Sequence, residues 1–197
     1  MTATTLVAVT VDQLVTPENG GVFSYTNSMG QGTGVNVPPG AVDSARSLSI
    51  NPLGKESLTQ PEPTNPIDYY FDLGADDPRR IYFPVMFNRN SGSSLVNTQV
   101  VDTNGASRVE GETAVAACPT GHFCFNKPVI ITITYNEDLL PPTASETELT
   151  LTFWDNETNE WVDAATTCDP TSTYNYFPAQ DFFTIEVCHF SRFGVVH

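Results

Sequence analysis

Near the C-terminal end, Cys188-His189-Phe190-Ser191 places an imidazole two positions before a hydroxyl, with one bulky apolar residue between them. That spacing suits a chain that cuts its own backbone between Phe190 and Ser191. The Ser191 hydroxyl attacks the Phe190 carbonyl, and His189 takes the hydroxyl proton. An N→O acyl shift then leaves an ester that water hydrolyses. Exchanging an amide for an ester is uphill, so the fold has to hold this peptide at a tight turn between strands, where twisting weakens its resonance. Backbone N–H groups are expected to stabilise the oxyanion. The reaction is a single turnover in cis, not that of a turnover enzyme. The same residues also suit a closing core strand with no chemistry: Phe190, Phe193, Val195 and Val196 as core, His189 as an exposed strand residue, Ser191 as a turn former. Both readings stand at this point.

Other chemistry-bearing residues point less far. No Gly-rich phosphate loop, Ser-His-Asp order or catalytic carboxylate pair is present, and no cofactor is implied. Four cysteines allow three pairings. Cys118 and Cys124 bracket a turn-rich loop that can close on itself, leaving Cys168 and Cys188 to bridge two late strands. The rival is a metal site of Cys118, His122 and Cys124, but the spacing matches no common zinc pattern. Disulfides imply an oxidising compartment, hence an extracellular location. His122 is expected to be exposed and inert. Asp76-Asp77 and Glu137-Asp138 lack the ligand series of a calcium loop and read as solvated turns. Trp154 and Trp161 flank a turn and read as hairpin core before carbohydrate platform. One sequon, Asn156-Glu157-Thr158, falls in that turn.

Those residues must be positioned by strands. Hydrophobic residues make up 40 % of the 197 and charged residues only 16 %, the makeup of an extracellular β-protein. With 23 acidic against 8 basic residues the net charge is −15, which excludes a nucleic-acid partner and serves solubility. The start carries neither a basic n-region nor an apolar h-region, so an extracellular chain of this kind is expected to be a mature piece or an excised domain. No apolar run is long enough for a membrane span, so no membrane insertion is expected.

Alternating or β-branched runs recur at residues 6–11, 22–26, 35–37, 47–50, 69–71, 81–87, 128–135, 148–154, 160–162, 182–187 and 193–196. Turns are expected around Thr16-Pro17-Glu18-Asn19-Gly20-Gly21, at residues 30–34 and at the polar residues 88–94, with a Pro-rich connection at 59–66. Only Glu137-Asp138-Leu139-Leu140 suggests a turn of helix. The expected fold is all-β, a single antiparallel β-sandwich domain over 1–197 with a central insertion over 55–115.

Gly20-Gly21-Val22-Phe23, then Gly34-Val35-Asn36-Val37-Pro38-Pro39-Gly40-Ala41-Val42, resembles the opening of the ZU-type domain, a β-sandwich of ankyrins, netrin receptors and bacterial surface proteins. Phe125-Asn126-Lys127-Pro128-Val129-Ile130-Ile131-Thr132-Ile133-Thr134-Tyr135 resembles a later strand of that domain. The tail is similar to the GPS motif that ends GAIN domains, where tryptophans and paired cysteines precede a His-(Leu or Phe)-(Thr or Ser) cleavage site. Trp154, Trp161, Cys168 and Cys188 stand in corresponding places. The resemblance implies a cell-surface or secreted module whose catalytic residues are His189, Phe190 and Ser191, with the cleaved fragments remaining associated. Its alternative is a non-cleaving adhesion module that contacts protein or glycan.

Overall fold

A computed structural model describes residues 10–76, 118–119 and 122–197. The described residues form eleven strands and no α-helix: β1 Val11–Val15, β2 Gly21–Thr26, β3 Gly32–Val37, β4 Arg46–Leu53, β5 Pro66–Asp76, β6 Phe123–Thr134, β7 Thr150–Asp155, β8 Glu160–Asp163, β9 Asn175–Phe177, β10 Phe182–Phe190 and β11 Arg192–Val196. They pair antiparallel in two sheets, a six-stranded one ordered β1-β4-β5-β11-β7-β8 and a five-stranded one ordered β2-β3-β6-β10-β9. The all-β sandwich is therefore the observed fold.

Period-two alternation builds the core. In β6, Phe125, Val129, Ile131 and Ile133 are fully buried, and in β10 Phe183, Ile185 and Val187 answer them from the adjacent strand. The six-stranded sheet contributes Leu48 and Ile50 from β4, Phe71 from β5, Leu151 from β7, and Phe193 and Val195 from β11. Fully burying one such side chain stabilises by about 1.5–3 kcal/mol.

The residues 34–42 motif has a local physical reason. β3 ends at Val37, the chain turns, and Ala41 and Val42 drop back into the core at 0 % and 3 % exposure. The turn is fixed by Gly40 N donating to Pro17 O at 2.7 Å, Asn126 N donating to Ala41 O at 2.9 Å and Lys127 Nζ donating to Pro39 O at 2.8 Å. Gly20 lies beneath it with φ +62°, where an added Cβ would stand 2.0 Å from Val37 O, so no side chain fits.

Three sequence expectations change. The turn placed at residues 30–34 is shorter, because β3 already begins at Gly32 and pairs in register with β2 and β6. The insertion placed over 55–115 does not begin at 55: residues 66–76 are β5, an interior strand between β4 and β11, with Tyr69, Tyr70, Phe71 and Leu73 buried. Cys168 follows a short 3-10 turn and does not lie in a strand. Both disulfides pair as read, Cys118–Cys124 and Cys168–Cys188, which consumes the sulfurs of the rival metal set. Glu137–Leu139 is a single 3-10 turn capped by Asn136. The runs at 81–87 and 88–94, Asp77, and all but the last two residues of 6–11 lie outside the described residues.

Candidate functional site

β10 and β11 are separated by one residue, Ser191, and belong to different sheets. Phe190 is the last residue of the five-stranded sheet and pairs with Phe123 of β6. Ser191 is already bonded into the other sheet: its carbonyl accepts from Leu73 N of β5 at 3.0 Å, and its hydroxyl donates to Trp154 O of β7 at 3.1 Å. The Phe190–Ser191 peptide is thus the crossing between the two halves of the sandwich.

Each side of the crossing is anchored independently. Phe190 is 3 % exposed and packs edge-on against Phe125, with ring centroids 4.6 Å apart. Beyond Ser191, Arg192 faces Asp72 in the β11–β5 register and makes a two-point ion pair at 2.7 and 2.9 Å. The same guanidinium reaches Thr59 and Gln60 of the Pro-rich connection, and the ion pair holds its pKa above the ordinary arginine value. Phe193 then stacks on Phe71 at 5.6 Å. Gly194 passes beneath Tyr70, whose ring atoms would stand 3.0 and 3.2 Å from an added Cβ. β11 is paired on both edges, to β5 and to β7.

The register of β10 against β6 shifts between Val187 and His189. Strict alternation stops there, and Cys188, His189 and Phe190 are buried in succession. Cys188 takes up its disulfide to Cys168. His189 is 4 % exposed, not the exposed strand residue of the bland alternative, and its ring lies edge-on to Phe153 at 5.0 Å. Its Nδ1 stands 3.4 Å from Phe190 O.

His122 corrects the sequence reading most sharply. It is half-buried, its ring lies edge-on to His189 with centroids 4.7 Å apart, and its Nδ1 stands 3.0 Å from the same Phe190 O. The two imidazoles therefore converge on the carbonyl that self-cleavage would attack. Among the described residues, the hydrogen bond of the Ser191 hydroxyl goes to Trp154 and not to His189. The signal that could have found His122 is its place inside the short Cys118–Cys124 loop, since a stapled loop holds its side chains in a fixed place.

Burial, with the neighbouring His122 adding to it, lowers the His189 pKa to about 4 against the pull of the Phe190 carbonyl and of Asp155. The imidazole is neutral at physiological pH. The unfolded imidazole takes up its proton near pH 6.5 while the folded one waits until about 4, so between these values the unfolded state binds more protons and stability falls as pH falls. The full shift corresponds to about 3 kcal/mol, and partial screening leaves on the order of 2. Urea denaturation of the native protein and of His189→Phe should show this: the variant is expected to lose less stability than the native protein between pH 6.5 and 4.

Trp154 and Trp161 are cross-strand partners with ring centroids 5.7 Å apart, and Trp161 Nε1 donates to Pro61 O at 2.6 Å, which ties the Pro-rich connection to the hairpin. The sequon residue Asn156 is exposed in the β7–β8 turn. No group of three or more His, Cys, Asp or Glu residues able to hold a metal occurs among the described residues, nor does any helix long and apolar enough to cross a membrane. No protein-family model matches the sequence, and no curated protein is significantly similar to it.

Proposed function

We propose that this chain is a ZU/GAIN-like extracellular β-sandwich module that cleaves itself once between Phe190 and Ser191 and keeps both fragments. The observation that carries the reading is the placement of this one peptide at a single-residue crossing between sheets, with its carbonyl oxygen 3.0 and 3.4 Å from two imidazole nitrogens. Two disulfides suit the oxidising compartment of a secreted or cell-surface protein.

The bond changes balance with water as the only co-reactant. Ser191 Oγ forms a bond to the Phe190 carbonyl carbon and its proton passes to His189. The Phe190–Ser191 C–N bond breaks, and the proton moves on to the departing amine. Water then hydrolyses the ester, leaving a carboxylate at Phe190 and a free amine and hydroxyl at Ser191. For the attack, the Ser191 hydroxyl gives up its bond to Trp154 O by rotating about χ1, a loss of about 1 kcal/mol. β11 stays in place because its pairing to β5 and β7 and the burial of Phe193 and Val195 do not depend on the broken bond.

The ester gives the test. Hydroxylamine added to freshly refolded protein is expected to accelerate chain scission and to leave a hydroxamate at Phe190, read by mass spectrometry of the long fragment. Scission insensitive to hydroxylamine and without hydroxamate would exclude the ester route. The second reading, a non-cleaving adhesion module, is favoured by the commitment of the Ser191 hydroxyl to Trp154. Under it, hydroxylamine leaves the chain whole.

A further inference from the structure

We infer that His122 is a second catalytic residue of the self-cleavage: it donates Nδ1–H to the Phe190 carbonyl oxygen and holds the oxyanion when Ser191 attacks. This rests on the self-cleavage reading and assigns the part of the site that the His-Phe-Ser tripeptide does not supply. A nitrogen in contact with a carbonyl oxygen makes a hydrogen bond only if it carries the proton. At 3.0 Å, His122 Nδ1 is at the ordinary N–H···O distance, whereas His189 Nδ1 at 3.4 Å is beyond it. The stronger donor on the reacting oxygen is therefore the residue 68 positions away, not the neighbour in sequence.

The division of labour follows from the environments. His189 is buried and neutral at physiological pH, so it carries one N–H and one nitrogen lone pair that can take up a proton, but its low proton affinity makes it a weak base. A weak base leaves more of the barrier to be lowered by stabilising the negative charge that grows on the carbonyl oxygen. Preorganised donors do this because they need no rearrangement at the moment of reaction.

His122 is preorganised by its loop. The Cys118–Cys124 disulfide closes the loop, His122 N donates to Pro119 O at 3.1 Å, and the Cys118 sulfur lies 3.5 Å from His122 O. Cys124 is the register partner of His189, so the staple fixes the loop directly beside the tripeptide. The His122 ring is further set by its edge contact with His189.

The test has two arms on the full chain. In the first, cleavage is followed by intact mass from the moment of refolding. His122→Leu is expected to cleave about 100-fold more slowly, the loss typical of one oxyanion donor, while His122→Asn, which keeps an N–H near the Nδ1 position, stays within about tenfold of the native rate. A native-like thermal transition in both variants shows that they fold. His122→Leu cleaving within about threefold of the native rate would overturn the assignment and leave the self-cleavage reading standing. In the second arm, imidazole nitrogen shifts are measured by NMR in the uncleavable Ser191→Ala protein. A His122 protonated at Nδ1 supports the assignment; one protonated only at Nε2 overturns it, whether or not the native chain cleaves. A native chain that never cleaves overturns both the reading and this assignment.

Discussion

Ser191→Ala is expected to abolish scission completely, leaving one full-length chain in denaturant after any length of incubation. The substitution removes the only oxygen that can attack the Phe190 carbonyl from within the crossing. It also removes the donor to Trp154 O, a loss of about 1 kcal/mol, which is too small to unfold a domain of this size. Lost cleavage with a retained thermal transition therefore reports chemistry, not folding. Ser191→Cys is the control in the other direction. A thiol at the same position attacks the same carbonyl and passes through a thioester, so this variant is expected to cleave. Intact mass in denaturant checks both. An Ala variant that still splits at Phe190 would show that the hydroxyl is not the nucleophile.

Phe193→Ala is expected to have the largest effect on stability. Phe193 is fully buried, is paired with Phe71 of β5 and Phe153 of β7, and stacks on the Phe71 ring. Truncating such a side chain costs about 3–5 kcal/mol, a large share of the stability of a single domain. Measured by urea denaturation in a Ser191→Ala background, where cleavage cannot intervene, the loss should fall in that range. In the cleavable chain the same change has a second consequence. The seven residues 191–197 are then held by pairing and burial alone, and without Phe193 the heptapeptide is expected to separate on gel filtration. Arg192→Ala should weaken the hold less, because its ion pair to Asp72 is partly exposed to water. If the cleaved Phe193→Ala protein keeps its heptapeptide through gel filtration, the stacked ring is not what anchors β11.

What the sequence made legible was local. Alternation in residues 128–135 and 182–187 located β6 and β10, and the turn residues of 38–42 located the return of Ala41 and Val42 to the core. Spacing favours a loop closed by Cys118 and Cys124, which leaves Cys168 and Cys188 to each other, and the structure shows those two bonds. What it obscured was long-range. Tyr69-Tyr70-Phe71 read as a strand, but nothing within reach of that segment shows that it joins β11, whose Arg192 lies 120 positions from Asp72. Gly32 and Gly34 read as a turn, since glycine weakens a strand. In the fold, Gly32 is where β3 presses on β2, and an added Cβ there would stand 2.8 Å from Tyr25 O.

The site divides the same way. His189, Phe190 and Ser191 are contiguous, so their spacing could be read directly. The burial of His189 comes from a register shift against β6, which periodicity in β10 cannot show. His122 reads as exposed and inert in the sequence because its partner, the Phe190 carbonyl, is backbone and carries no mark there.

Self-cleavage with retention of both fragments is tested most directly by weighing one sample of the native chain twice, first under native conditions and then in denaturant. The expected result is a single native species heavier than the unprocessed chain by one water molecule. In denaturant it should resolve into a fragment ending at Phe190 and a heptapeptide beginning at Ser191. A single unprocessed chain under both conditions, unchanged by prolonged incubation of the folded protein, would contradict it.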